Sequence, residues 1–182
     1  MVNINSNIST NNVSPVRKMV YASLFAAMTS VGAFMIIPVG PVPITLQVLF
    51  VFMAGSMLKA RWGMISMIIY VLLGIVGLPV FSGGGSGFGI LLGPTGGYLV
   101  GFIAAAGLIG FLFEHRPPSH IVVNILYMFV GLIMIYILGI AQLAFVAHLD
   151  ITTAIALGAV PFLPADVMKA IVAAIISTRY DI

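Results

Sequence analysis

The chain has 182 residues, of which 62% are hydrophobic and only 6% charged, whereas soluble domains carry about a quarter charged residues. This composition excludes an ordinary soluble domain and places the chain in lipid. Seven Lys and Arg against four Asp and Glu leave a net charge of +3, too few and too scattered for a nucleic-acid surface. The absence of cysteine removes disulfides, thiolate nucleophiles and Cys-based metal sites. The length suits one domain of several membrane spans, without a nucleotide-hydrolysing domain beside it.

Residues 1–14, with Asn at 3, 5, 7, 11 and 12, offer too little contiguous apolar surface to fold alone and read as a disordered tail. They lack the charged start, apolar run and cleavage site of a secretory signal. Ser14-Pro15 then marks a helix start, the hydroxyl capping free N–H groups and Pro occupying the first turn. Six apolar segments follow, at roughly 16–37, 44–58, 62–78, 96–114, 119–147 and 162–180, and a single six-helix domain is expected over 15–182. The second is short for the ~20 residues that cross a bilayer. It follows a loop, Pro38-Val39-Gly40-Pro41-Val42-Pro43, whose three prolines forbid regular helix.

Arg17 and Lys18 precede the first segment, Lys59 and Arg61 join the second and third, Arg116 joins the fourth and fifth, and Arg179 closes the sixth. With six spans all these charges share one face, and the opposite loops, 38–43, 79–95 and 148–161, hold none. The positive-inside rule then puts both termini in the cytoplasm. Five spans would place Arg179 outside.

The outer loop from Pro79 to Thr95 contains six glycines between 83 and 93, with Phe81 and Phe88 as apolar cover. It reads as a mobile lid or a plain connector. It has no phosphate-binding glycine motif and no nucleophile elbow. Gly97 and Gly101 form a GxxxG, and Ala22 and Ala26 a small-xxx-small pair; spacing alone favours packing within the chain. Gln47 and Gln142 are isolated amides on the outer half, while Asn124 on the inner half suits an interhelical hydrogen bond. Three dispersed histidines do not suggest a metal site.

One charge pair lies inside a span. Lys169 follows Asp166 by three residues, so both side chains share a helix face. Such charges are costly in lipid and mark a substrate, ion or proton site by default; the alternative is a pair near the outer interface with Lys reaching water. Together they offer a donor beside an acceptor, suited to a small molecule carrying both kinds of group.

Pro41-Val-Pro-Ile-Thr-Leu-Gln47, Gly74-Ile-Val-Gly-Leu-Pro-Val-Phe81, Gly93-Pro-Thr-Gly-Gly-Tyr-Leu99 and Pro161-Phe-Leu-Pro-Ala-Asp-Val-Met-Lys169 resemble, in order and spacing, the signatures of the BioY family. Its members are the biotin-specific S components of energy-coupling factor (ECF) vitamin transporters. The resemblance covers residues 15–182. It implies an all-α integral membrane protein of the bacterial cell membrane, with six helices, cytoplasmic termini and a biotin site near the outer face. It also implies docking of Ala22 and Ala26 on a transmembrane coupling protein, the T component, and two cytoplasmic ATPases whose hydrolysis drives toppling of the S component. No cofactor and no enzyme activity are implied. On this reading Asp166 accepts a ureido N–H of biotin and Lys169 donates to its ureido carbonyl or carboxylate. Gln47, Tyr98 and the N–H groups of Gly96 and Gly97 are further polar contacts, and Phe81 and Phe88 cover the ring. The competing reading is a self-sufficient carrier or channel using Asp166 and Lys169 as an ion relay; a membrane enzyme lacks a nucleophile, metal cluster or acid–base dyad.

Overall fold

The computed structural model describes residues 14–38, 42–118 and 120–179; the tail expected at 1–14 lies, apart from Ser14, outside them. Helix α1 spans Pro15–Phe34 and starts as its sequence predicts, with Ser14 Oγ accepting from the N–H of Arg17 at 3.4 Å. A short antiparallel ribbon, β1 (Ile36–Ile37) with β2 (Ile44–Thr45), brackets the proline-rich loop. Helix α2 then runs over Gln47–Ile75. A 3-10 turn at Ser82–Gly84 and the short helix α3 (Phe88–Leu92) lead to α4 (Gly96–His115). Helices α5 (Ile121–Val146), α6 (Ile151–Gly158) and α7 (Leu163–Arg179) complete the described chain.

Several of these elements depart from the sequence reading: Ile36–Ile37 and Ile44–Thr45, expected inside the segments 16–37 and 44–58, form the ribbon, and the expected loop 79–95 holds α3. The second and third apolar segments form one 29-residue helix, α2, interrupted only at Lys59, where the backbone takes φ 66° and ψ −178°. One non-helical residue suffices to redirect the chain, so no separate loop exists at 59–61. The break is held by α4. Glu114 Oε1 accepts from the N–H of Ala60 at 3.3 Å, satisfying one of the N–H groups that the restarted helix leaves free. Gly110 lies so close that a Cβ there would sit 2.2 Å from Ala60 N. The loop expected at 148–161 holds α6, missed because eight residues are too few to cross a membrane. Asp150 caps it, accepting from Thr153 Oγ1 at 2.6 Å and Thr153 N at 2.9 Å. These bonds, the hydroxyl's first, hold the Asp150 carboxyl below its ordinary range.

Helix α2 packs against α1, α4 and α7, and α5 against α4, α6 and α7. The shared core combines large α2 and α5 side chains, such as Phe52, Tyr70, Met128 and Leu132, with small α4 and α7 residues, Ala105, Ala106, Ala170, Ala173 and Ala174. Without a hydrophobic drive between helices in lipid, close packing of small residues supplies the association. Large apolar side chains that point outward, among them Leu72, Phe111, Ile133, Phe145 and Val172, form the surface a bilayer solvates. Among the described residues, α2, α4 and α5 are each long and apolar enough to cross a membrane, and α6 with α7 forms a fourth candidate bent by 55°. Gly97 and Gly101 face Leu138 and Ile135 of α5, so the GxxxG serves packing within the chain.

Ala22 and Ala26 require a correction. Both are buried, at 0% and 1% exposure, and the carbonyl of Ala22 accepts from Ser66 Oγ on α2 at 2.7 Å. They join α1 to α2 and present no surface to a partner. The outward stripe of α1 instead runs through Val20, Ser23, Leu24, Ala27 and Val31.

The Gly110 contact makes a stability test. Substituting Val forces the α2 break away from α4, an overpacking cost of about 1–3 kcal/mol. Gly110→Val is expected to lower the thermal midpoint of the detergent-solubilised protein by several degrees, whereas Gly89→Ala, with nothing within 4 Å of an added Cβ, leaves it unchanged. Equal midpoints for both variants would show that the break does not depend on this contact.

Candidate functional site

A cavity of about 340 Å³ lies where β2, the start of α2, the 79–95 segment, α4, α5 and the start of α7 converge. Its size is that of a small-molecule site. The walls are largely apolar, with Val48, Phe81, Leu99, Phe102 and Phe162 among them, and the polar groups are few: Thr45, Gln47, Ser82, Thr95, Tyr98, Tyr136 and Asp166.

Five of these groups, Thr45, Gln47, Tyr98, Tyr136 and Asp166, are held by neighbours. Asp166, 3% exposed, lies one turn into α7. Its Oδ1 accepts from Lys169 Nζ at 2.6 Å and its Oδ2 from the Tyr136 hydroxyl at 2.7 Å. Lys169 is itself 7% exposed, so the two charges are withdrawn from solvent together. A buried carboxylate stripped of its cation is strongly unfavourable. Gln47 opens α2 from a buried position, its Oε1 accepting from Thr45 Oγ1 at 3.0 Å and its Nε2 donating to the Tyr70 hydroxyl. The Tyr98 hydroxyl donates to the Gly158 carbonyl at the end of α6, at 2.7 Å. This bond gives the missed helix its role: α6 anchors one wall of the cavity.

The 79–95 segment is ordered by three ties. Phe81 packs on Gly74, where a Cβ would come within 2.1 Å of its ring, and stands edge-on to Tyr70 at 5.7 Å. The N–H of Gly87 donates to the Gly74 carbonyl at 2.7 Å. Gln142 on α5 donates from Nε2 to the carbonyls of Leu91 and Gly93, each at 2.8 Å. Gly83, Gly84 and Gly87 take positive φ of 69°, 78° and 92°, turns that residues with side chains rarely make.

The structure gathers Asp166, Tyr98, Gln47 and Phe81 around one cavity. Lys169 stands behind Asp166 and is not among the lining residues. Gly96 and Gly97 are not among the lining residues: a Cβ on Gly96 would strike the Leu91 carbonyl and one on Gly97 the Leu138 carbonyl, and the N–H of Gly96 donates to the Gly93 carbonyl at 3.2 Å. Their missing side chains admit neighbouring backbone rather than a ligand. Phe88 is 55% exposed at the start of α3 and does not line the cavity. The sequence reading missed Tyr136, Thr45 and Ser82. Tyr136 lies 30 residues before Asp166, a pairing no local spacing reveals. Ser82 Oγ is buried and has no hydrogen-bond partner among the described residues, which leaves a donor and acceptor at the cavity wall. Among the described residues no group of His, Asp and Glu is arranged to hold a metal ion.

Gln142 yields a local test. Replacing it with Leu deletes both hydrogen bonds to the 79–95 segment, worth about 0.5–1.5 kcal/mol each. Hydrogen exchange of amides 82–95 in Gln142→Leu is expected to accelerate about tenfold or more, with amides of α4 below Phe102 unaffected. An unchanged exchange pattern would rule out Gln142 as the tie.

The model of the BioY family matches residues 5–181. The "Biotin transporter BioY" of Thermotoga maritima is 44% identical over 165 residues, covering 90% of this chain and 95% of the relative. A protein of the same name from Rhizobium etli is 42% identical over 170 residues, covering 88% and 90%. Among solved structures, the S component for biotin from an ECF-type ABC transporter superposes with a TM-score of 0.86 at 30% identity, over 94% of both chains. A helical fold with several apolar spans, matched along nearly its whole length by membrane transport proteins, is a multi-pass membrane protein, and the chain belongs to the BioY family.

Proposed function

We propose that this protein is the S component of an ECF-type transporter and that biotin is the ligand of the cavity around Asp166. The observation that carries the reading is a small, mostly apolar cavity with a paired carboxylate at its wall. Biotin combines an apolar fused ring, a ureido group with two N–H donors and a carbonyl, and a valerate carboxylate. Asp166 can only accept, so it takes a ureido N–H. Lys169 neutralises the carboxylate from behind. Ser82 and Gln47 supply donors for the ureido carbonyl or the valerate, and Phe81 and Phe102 enclose the ring. The names and likeness of the relatives support the same ligand.

In the membrane we place six spans, counting α1, the two arms of α2 either side of Lys59, α4, α5 and the α6–α7 pair. The basic residues then lie on the cytoplasmic face with both termini, and the cavity opens toward the outside. The chain lacks a phosphate-binding motif, so release inside requires partners: a T component and two cytoplasmic ATPases, with toppling of the S component as the moving step. Docking falls to the outward stripe of α1, where Ser23 and Ala27 stand one turn apart and let a partner helix approach closely.

Equilibrium binding of labelled biotin tests the ligand. Loss of one buried charged partner costs about 2–5 kcal/mol, hence roughly 30-fold or more in Kd. Asp166→Asn and Lys169→Ala are both expected to bind at least that much more weakly; native affinity in both would overturn the assignment. Docking has its own discriminating pair. Ala27→Trp is expected to retain biotin binding but lose copurification with the T component, whereas Ala22→Trp disrupts the α1–α2 contact and lowers the thermal midpoint. Full complex recovery with Ala27→Trp would remove α1's outward stripe as the docking face.

A further inference from the structure

Helix α5 contributes one residue to the cavity wall, Tyr136. Its hydroxyl donates to Asp166 Oδ2, while Lys169 takes the other oxygen, Oδ1. The two donors approach from different directions: Lys169 from the same helix one turn along, Tyr136 from a neighbouring helix. Either alone leaves the carboxylate free to rotate about its Cβ–Cγ bond. Both together fix its plane, and with it the direction of the lone pairs still available to a ligand, since a carboxylate accepts about four hydrogen bonds in all. Tyr136 also lines a second, apolar groove on the outer side of α5, beside Ile133, Ile137, Ile140, Ile151 and Ile155. Its ring therefore stands between the Asp166 cavity and the apolar groove.

We propose that Tyr136 is a positioning residue for ligand recognition, acting through Asp166 to aim the carboxylate at the ureido N–H. The proposal rests on the reading of Asp166 as the ligand's acceptor. It differs from a packing role in its dependence on Asp166. Tyr136→Phe keeps the ring and its separation of the two cavities while removing the hydroxyl.

The test is a double-mutant cycle on the full chain, with labelled biotin as the probe. Tyr136→Phe alone is expected to weaken binding about tenfold, the scale of a lost hydrogen bond to a charged group. In an Asp166→Asn background the same substitution is expected to change affinity less than twofold. Ile137→Ala, which alters the neighbouring groove without approaching Asp166, is expected to stay within twofold of the parent. Equal losses from Tyr136→Phe in both backgrounds, native affinity of Tyr136→Phe, or a matching loss in Ile137→Ala would each overturn the proposal. Failure of the parent chain to bind biotin would instead remove the ligand assignment on which it rests.

Discussion

A carboxylate and an ammonium 2.6 Å apart, both all but withdrawn from solvent, set the terms for the rest of the molecule. In lipid neither charge is tolerable alone. The pair must therefore be enclosed by protein, and the enclosing elements must come from distant parts of the sequence. Helix α7 carries both charges, α5 supplies the Tyr136 hydroxyl, and β2, α2, α4 and the 79–95 segment close the remaining sides. Asp166 faces a cavity rather than a filled core, with Lys169 buried behind it. A stable apolar core of the same volume would be easier to build, so an ion pair at a cavity wall supports the proposed reading of the cavity as a recognition site.

The supporting structure works by joining backbone to backbone at close range. Gly110 lets the α2 break rest on α4 and Gly97 brings α4 against α5. Each removes one side chain to gain a helix contact, the strategy available where lipid supplies no hydrophobic drive. Polar side chains then tie irregular backbone to regular helix: Gln142 holds the carbonyls of Leu91 and Gly93, and Tyr98 holds that of Gly158. Irregular segments at membrane depth persist only when their backbone is satisfied in this way. The glycine-rich segment that its composition suggests as a mobile lid is consequently a tied structure, with a hinge-like content used for tight turns.

Long-range order of the chain was legible from sequence where the physics is local. Hydropathy located α1, α4, α5 and α7, Ser14-Pro15 the start of α1, and the Asp166–Lys169 spacing the ion pair, because each depends on residues within a few positions. Three features were not legible. A single residue, Lys59, breaks α2 where hydropathy suggests a loop. The eight-residue α6 falls below the length at which hydropathy signals a span. The facing of α1, which buries Ala22 and Ala26 and turns Ala27 outward, depends on Ser66 and the rest of α2. At the site, Asp166 and Gln47 stand out as polar residues in apolar runs. Tyr136 does not, because an aromatic in a hydrophobic helix carries no sign of the carboxylate it meets, and Gly96 and Gly97 look like open backbone only until α5 is placed against them.

The central claim, that the cavity beside Asp166 receives biotin, is tested most directly by determining the structure of the full chain with biotin bound. The expected result is a bicyclic ring enclosed by Phe81 and Phe102, with a ureido nitrogen within hydrogen-bond distance of an Asp166 carboxylate oxygen and Lys169 still paired behind it. Biotin seated elsewhere, such as the lipid-facing groove between α5 and α6, or a cavity that stays closed to saturating biotin, would contradict the account.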